Sequence, residues 1–372
     1  RRPSLQILRG KDMKCKYFAA VLISAFAVVS FSGCSFPRSF DETESGTAAG
    51  EGTAEAKEKT QENMQEEENE KVKIGVSFDS MEQERREIER TVLEDTVQKL
   101  GALVEIQSAE GDIETQKEQI RQFTDESVNV IIVAAVDSSA LEAEIRDARN
   151  QGILVVAYER LIQGEQTDLF VAADSRMAGE QIADEIKNQL PEGGSILLVC
   201  GPENDRSSQN TADTLEEELE GNSWEIAYRG CAASWSGEDE KHAVEEAFQN
   251  AGKQADAIVC ATDRMAGMAA EILENEQRTG EMAVIGQNAD SDACRRIQEG
   301  TQAMTIYIPA EELAEKAAEY AVQMAEGGNF SETITEEYEL VGEEEEFMVP
   351  CYRAETLAVT EENVSKLGRN TF

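Results

Sequence analysis

An aspartate closing an apolar run and an arginine six residues further on are the first pair in this chain able to grip a small polar ligand. The stretch KIGVSFDSMEQERR places Asp79 directly after Ile74, Val76 and Phe78, and Arg85 in the first turn of a helix opening near Glu84. A carboxylate accepts and a guanidinium fork donates, so the two together orient a polar ligand through charge-assisted hydrogen bonds. Glu159 and Arg160 follow the run LVVAY in the same way, and strand ends in an open α/β sheet face the ligand crevice. Trp235, in the loop SWSGED, offers either a flat face to a ligand or a local staple against Tyr228. Bland alternatives stand beside these. Arg85 or Arg86 alone reads as a solvated helix face, while Asp263, Asp290 and Asp137 read as helix caps.

Catalytic constellations are poorly represented. His242 is the single histidine and sits among Glu240, Glu245 and Glu246, so no histidine triad or histidine metal cluster can be assembled. The first strand runs into FDSMEQE rather than a glycine-rich phosphate loop, which disfavours dinucleotides. Carboxylates are so abundant that a pair such as Asp79 with Asp174 carries little weight for glycosidase chemistry. The expectation is a protein that is not an enzyme and uses no cofactor.

The elements that must position these residues alternate. Strands are predicted over 73–78, 103–108, 130–135, 154–157 and 169–172, with helices over 84–100, 114–124, 139–151 and 177–190. A second series has strands over 195–200, 224–228, 257–261, 283–286 and 304–307, with helices over 211–219, 239–250, 264–274 and 292–299. Short apolar runs between amphipathic helices read as βαβ units on parallel sheets. Two such series in tandem imply two lobes of one architecture, with the ligand site between them.

Composition bounds the partners. With 34 Lys+Arg against 76 Asp+Glu and a formal net charge of −42, the chain repels phosphate backbones, so nucleic acid is not an expected partner. From Met13 the chain reads two lysines, an apolar run from Tyr17 to Phe31, then Ser32, Gly33 and Cys34. That pattern is a signal segment too short for a comfortable membrane span, and the Ser-Gly-Cys ending resembles a bacterial lipobox, which implies a lipidated Cys34. Residues 1–12 read as an upstream extension. Residues 35–71 are acidic and poor in large apolar side chains, as expected of a disordered tether. Cys200, Cys231, Cys260, Cys294 and Cys351 remain after Cys15 and Cys34, and their scattered spacing suggests no disulfide framework.

Four segments carry a resemblance: QSAEGDIETQKEQI (107–120), LVVAYERLI (154–162), IGQNADSDACRRIQEGTQAMTIYIP (285–309) and VPCYRAETLAVTEENV (349–364). They resemble the D-xylose-binding members of the type I periplasmic sugar-binding proteins, and the likeness runs from about Lys71 to the carboxyl end. It implies an α/β fold of two Rossmann-like lobes with parallel sheets joined by a three-strand hinge. By that likeness the amino-terminal lobe takes residues 72–174 and 306–330, and the carboxyl-terminal lobe 175–305 and 331–372. Arg85, Arg160 and Trp235 match positions that hold sugar hydroxyls or stack on the ring, and Glu159 replaces an aspartate. Arg86 stands where the family has a stacking tryptophan, Thr262 replaces an asparagine, Asn288 an aspartate, and Ile308 a lysine. The loop PENDRSSQN brings Asn204, Asp205 and Arg206 in place of an aspartate and two asparagines. Asp79 and Asp263 complete the candidate ligand set. The resemblance implies a lipid-anchored extracytoplasmic receptor for a monosaccharide that closes by a hinge and serves an ABC importer's permease, or presents its ligand to a membrane histidine kinase or chemoreceptor. A different sugar, or a larger or anionic ligand met by Arg86 and Arg206, also fits the altered shell.

Overall fold

Runs such as VIIV and AIVC have no polar interruption and need cover on both faces, which a parallel sheet between two helix layers supplies. A computed structural model of the chain describes residues 71–82, 84–221, 223–328, 338–341 and 347–366. The upstream extension, the signal segment with Cys15 and Cys34, and the tether up to residue 70 lie outside the described residues.

The first series comprises β1 (Lys73–Phe78), α1 (Glu84–Lys99), β2 (Leu103–Ser108), α2 (Ile113–Asp125), β3 (Val130–Val133), α3 (Glu142–Asn150), β4 (Leu154–Tyr158) and β5 (Leu169–Ala173). The second comprises α4 (Ser175–Gln189), β6 (Gly194–Cys200), α5 (Arg206–Leu219), β7 (Trp224–Cys231), α6 (Gly237–Ala251), β8 (Ala257–Cys260), α7 (Asp263–Asn275), β9 (Ala283–Gln287), α8 (Ser291–Gln298) and β10 (Met304–Tyr307). Then follow α9 (Ala310–Ala325), β11 (Tyr338–Val341), β12 (Phe347–Ala354) and β13 (Leu357–Thr360).

One sheet runs β11-β12-β5-β4-β3-β1-β2 and the other β13-β10-β9-β8-β6-β7. Each contains the same parallel core order, with the first strand of its series between the second and third. The chain therefore reverses its winding direction between β1 and β3, and again between β6 and β8. Such switch points leave a crevice at the carboxyl ends of the strands, and Asp79 and Gly201 follow β1 and β6 directly.

Each sheet is covered on both sides. Leu93 and Val97 of α1 and Leu313 and Ala317 of α9 pack with Ile74, Val76 and Val156. On the opposite face Ile120 and Phe123 of α2 and Ile145 of α3 meet Ile131 and Val155. In the second lobe Ile182, Ile186 and Leu215 cover Ile196 and Leu198, while Val244, Met265 and Leu273 cover Leu197 and Val199. Each such aliphatic side chain contributes about 1.5–3 kcal/mol on burial.

Three segments cross between the lobes: β5 to α4, β10 to α9, and β12 to β13. The assignment of residues 331–372 to the carboxyl-terminal lobe does not hold for β11 and β12, which join the first sheet. Cys351 pairs with Phe170 and Ala354 with Ala173 in parallel register, and Val349 and Cys351 are fully buried in the first lobe's core. The physical reason is that β5 would otherwise be an uncovered sheet edge. Only β13, antiparallel to β10, returns to the second sheet. Some element bounds also move. α5 opens five residues before the sequence expectation because Asp205 caps it, accepting from the Ser208 amide at 3.0 Å. All described residues belong to one compact unit.

Candidate functional site

Arg85 and Arg86 are adjacent in the first turn of α1, so the helix aims them about 100° apart. Arg86 turns into the lobe and is fully buried, whereas Arg85 reaches the cleft. Glu89 lies three and four residues on, the spacing at which helix side chains meet, and it is also fully buried. It accepts from Arg85 Nη1 at 2.8 Å and from Arg86 Nη1 at 2.6 Å. Glu159, at the end of β4 with φ +62°, completes the cluster. Its carboxylate takes both terminal nitrogens of Arg85, Nη2 at 2.8 Å, and Arg86 Nη1 at 2.6 Å. Arg86 Nε donates to Asp79 at 3.1 Å, and Arg160 Nη1 donates to the other Asp79 oxygen and to the Ala135 carbonyl, both at 2.6 Å. Burial pushes the Asp79 and Glu159 carboxyls upward, but the surrounding guanidiniums outweigh it: Arg86 and Arg160 hold Asp79 below the ordinary range, and Arg85 and Arg86 do the same for Glu159.

The second lobe answers with Asp205 and Trp235. While one Asp205 oxygen caps α5, the other accepts from Arg160 Nε at 3.2 Å and from the indole Nε1 of Trp235 at 3.1 Å. The Arg160 guanidinium lies 5.4 Å from the indole centroid, within reach of a cation–π attraction. Gly201 makes this seat possible, because a Cβ there would stand 2.2 Å from the indole. Thr262 caps α7 through the Met265 amide at 3.1 Å, and Asn288 turns the chain with φ +112° after β9.

Together these residues wall a cavity of about 100 Å³. Arg85, Glu159 and Arg160 face it from the first lobe, and Asp205, Trp235, Thr262 and Asn288 from the second. Ser175, Ile308 and Thr356 of the crossing segments line it too. Sequence reasoning missed Glu89, and also Ser207, Ser208, Thr211 and Gln287 in the wall. Its spacing from Arg85 and Arg86 was the available signal for Glu89.

Other candidates fall elsewhere. Asp79 and Arg86 stand behind the wall and fix its charged members. Asn204 is a clasp between lobes: its Nδ2 donates to Asp137 at 2.6 Å, and its carbonyl accepts from Ser138 Oγ at 2.9 Å and Gln163 Nε2 at 2.6 Å. Arg206 is exposed and outside the cavity wall. Asp263 is buried behind Asn288, accepting from Gln302 Nε2, Thr305 Oγ1 and the Asp290 amide at 2.9, 2.7 and 3.0 Å.

The bland readings change as well. Arg86 is a buried structural cation, not a solvated one. Asp263 is the first residue of α7 and Thr262 its cap. Asp137 caps no helix, since α3 begins after Leu141 without a side-chain cap, and Asp290 makes no side-chain cap bond. Trp235 packs on Gly201 and Arg160. Among the described residues Cys200, Cys231, Cys260 and Cys294 are free thiols.

Comparison with known proteins agrees with this architecture. Residues 74–329 match the family model described as periplasmic binding protein domain. The D-xylose-binding periplasmic protein of Haemophilus influenzae is 30% identical over 298 residues, covering 79% of this chain and 88% of the relative. That of Escherichia coli is 30% identical over 260 residues, covering 69% and 79%. The Caulobacter myo-inositol-binding protein with bound myo-inositol superposes with TM-score 0.68 at 22% identity, over 79% of this chain and 95% of that one. A Clostridium phytofermentans ABC transporter solute-binding protein with bound β-D-glucose gives 0.70 at 20%, over 80% and 99%. The chain belongs to the periplasmic binding protein family, as a solute-binding protein of two parallel-sheet lobes and not an enzyme.

Proposed function

We propose that the cavity between the lobes takes a neutral monosaccharide, an aldose of the size of xylose. The observation that carries this reading is the state of its charged walls. Arg85, Glu159, Arg160 and Asp205 are all engaged with opposite charges in the protein, and Asp174, the remaining carboxylate of the wall, caps α4 through the Met177 amide, so no cation of the wall is left to call for an anionic ligand. Sugar hydroxyls, each both donor and acceptor, suit such walls, and the indole of Trp235 suits the apolar face of a ring. An anionic ligand loses its support, because Arg86 is sealed among three carboxylates and Arg206 is outside the wall. The two 30% relatives carry the D-xylose name, which favours a pentose over a hexose with its extra hydroxymethyl group.

Ligand held from both sides stabilises the closed arrangement over an open one. A permease of an ATP-driven importer would read that surface. The lipobox-like Ser32-Gly33-Cys34 supports an extracytoplasmic receptor anchored through Cys34; if so, Cys34→Ser releases the protein from the membrane fraction.

Thermal unfolding with D-xylose, D-glucose and D-glucuronate tests the site. A true ligand at a hundredfold excess over Kd adds about 2.7 kcal/mol, and Arg160→Ala and Trp235→Ala should each abolish that gain. An unchanged gain in both variants means the cleft is misplaced. Stabilisation by glucuronate alone rules out the neutral reading.

A further inference from the structure

A second hollow lies across Arg160 and Trp235 from the first. It measures about 240 Å³ against about 100 Å³ for the inner one, and both lobes wall it. Ser80 and Val136 face it from the first lobe, Ser234 and Arg264 from the second. Arg160 and Trp235 border both hollows, so the partition between them is made of side chains. We propose that the cleft is built for two linked neutral sugar rings, one in each hollow, with the glycosidic linkage passing Arg160.

Three observations carry this, resting on the sugar reading of the inner cavity. First, a ligand confined to the inner cavity would leave the larger part of the interlobe space unused. Second, the cations of the outer hollow are already engaged: Arg264 Nη2 donates to Glu240 Oε1 at 2.8 Å and Nη1 to Glu82 at 3.2 Å, and Arg160 is paired with Asp79, while the exposed Glu110 adds a carboxylate to its lining, so the hollow offers nothing to an anion. What it offers a guest is the Ser80 hydroxyl, which accepts from the Glu82 amide and keeps its proton to donate, the Glu110 carboxylate and the indole, a mixture of polar groups and aromatic surface like that inside. Third, Arg160 is only 8% exposed, and its Nε and Nη1 are committed to Asp205, Asp79 and Ala135. Its Nη2 makes no hydrogen bond among the described residues, and the side chain borders both hollows. A linkage oxygen or an adjoining hydroxyl is the acceptor such a donor calls for.

Isothermal titration of the purified protein with D-xylose and with β-1,4-xylobiose decides it. The disaccharide should bind about tenfold more tightly, the gain of one or two further hydrogen bonds. Ser80→Trp and Val136→Trp, which fill the outer hollow, should each remove that advantage while keeping xylose binding, which also reports that the variants fold. Xylose binding without xylobiose binding overturns the two-ring cleft and leaves the monosaccharide reading standing. Xylobiose affinity unchanged in both tryptophan variants overturns the placement of the second ring. Binding of neither sugar overturns the pentose reading and this inference with it.

Discussion

At the scale of single residues, the site is a set of buried charges whose protonation pulls stability in opposite directions. Asp79 and Glu159 titrate below their ordinary range in the folded protein. Their contribution is present above the unfolded values and lost as pH falls. Burial, with the Asp290 carboxylate adding to it, pushes Asp263 from 3.8 up to about 7, and burial pushes Asp290 up to about 6. For these two the folded protein holds the proton more firmly than the unfolded chain does. Their contribution is therefore full below 3.8 and lost as pH rises through 6 to 7. Urea unfolding across the pH range should thus show a maximum near the ordinary carboxylate values, between 3.8 and 4.5, with stability falling below it as Asp79 and Glu159 are protonated and falling above it until about 7 as the unfolded chain releases the protons that Asp263 and Asp290 keep. A stability that rises steadily to pH 8 would contradict this assignment of Asp263.

At the scale of elements, the helices come close to the sheets only where the strands leave room. Gly75 in β1 is such a place: a Cβ there would stand 2.6 Å from the Phe123 ring of α2, and Phe123 is fully buried. Gly75→Ala should lower stability by about 1–3 kcal/mol, the range for overpacked cores, measured by urea unfolding, with ligand affinity little changed. Alternation of apolar runs and amphipathic segments was enough to place the helices and strands of both series. Two features were not legible. β12 pairs with β5, 181 positions earlier in sequence, and carries β11 with it as the outer strand, and nothing local marks that choice. The first turn of α1 reads as polar throughout, so no periodicity shows that Arg86 and Glu89 point inward.

At the scale of the whole molecule, the lobes touch at points outside the ligand walls. Asn204 bonds to Asp137, and Glu84 at the start of α1 accepts from both the amide and the hydroxyl of Ser291 at the start of α8, at 3.1 and 2.6 Å. Such contacts favour the closed arrangement without touching the cavity. Asn204→Ala removes one of them, and a hydrogen bond is worth about 1 kcal/mol. Ligand affinity should fall about fivefold through the open–closed balance alone, and small-angle scattering of the unliganded variant should show a larger radius of gyration. Weaker affinity with an unchanged radius would locate the effect in the cavity instead.

The amino-acid sequence by itself determined the alternation of strands and helices, the pairing of two like lobes, and the delivery of Asp79, Glu159 and Arg160 to strand ends. Those features depend on local periodicity and on the geometry of parallel sheets. The tertiary structure alone decided which charges reach the cavity and which are sealed behind it. Arg86 meets Asp79 through a short turn but Glu159 only across 73 positions of chain, and Arg160 meets Asp205 only where the lobes close. A buried charge is tolerable only beside its partner, and folding, not spacing, chooses that partner.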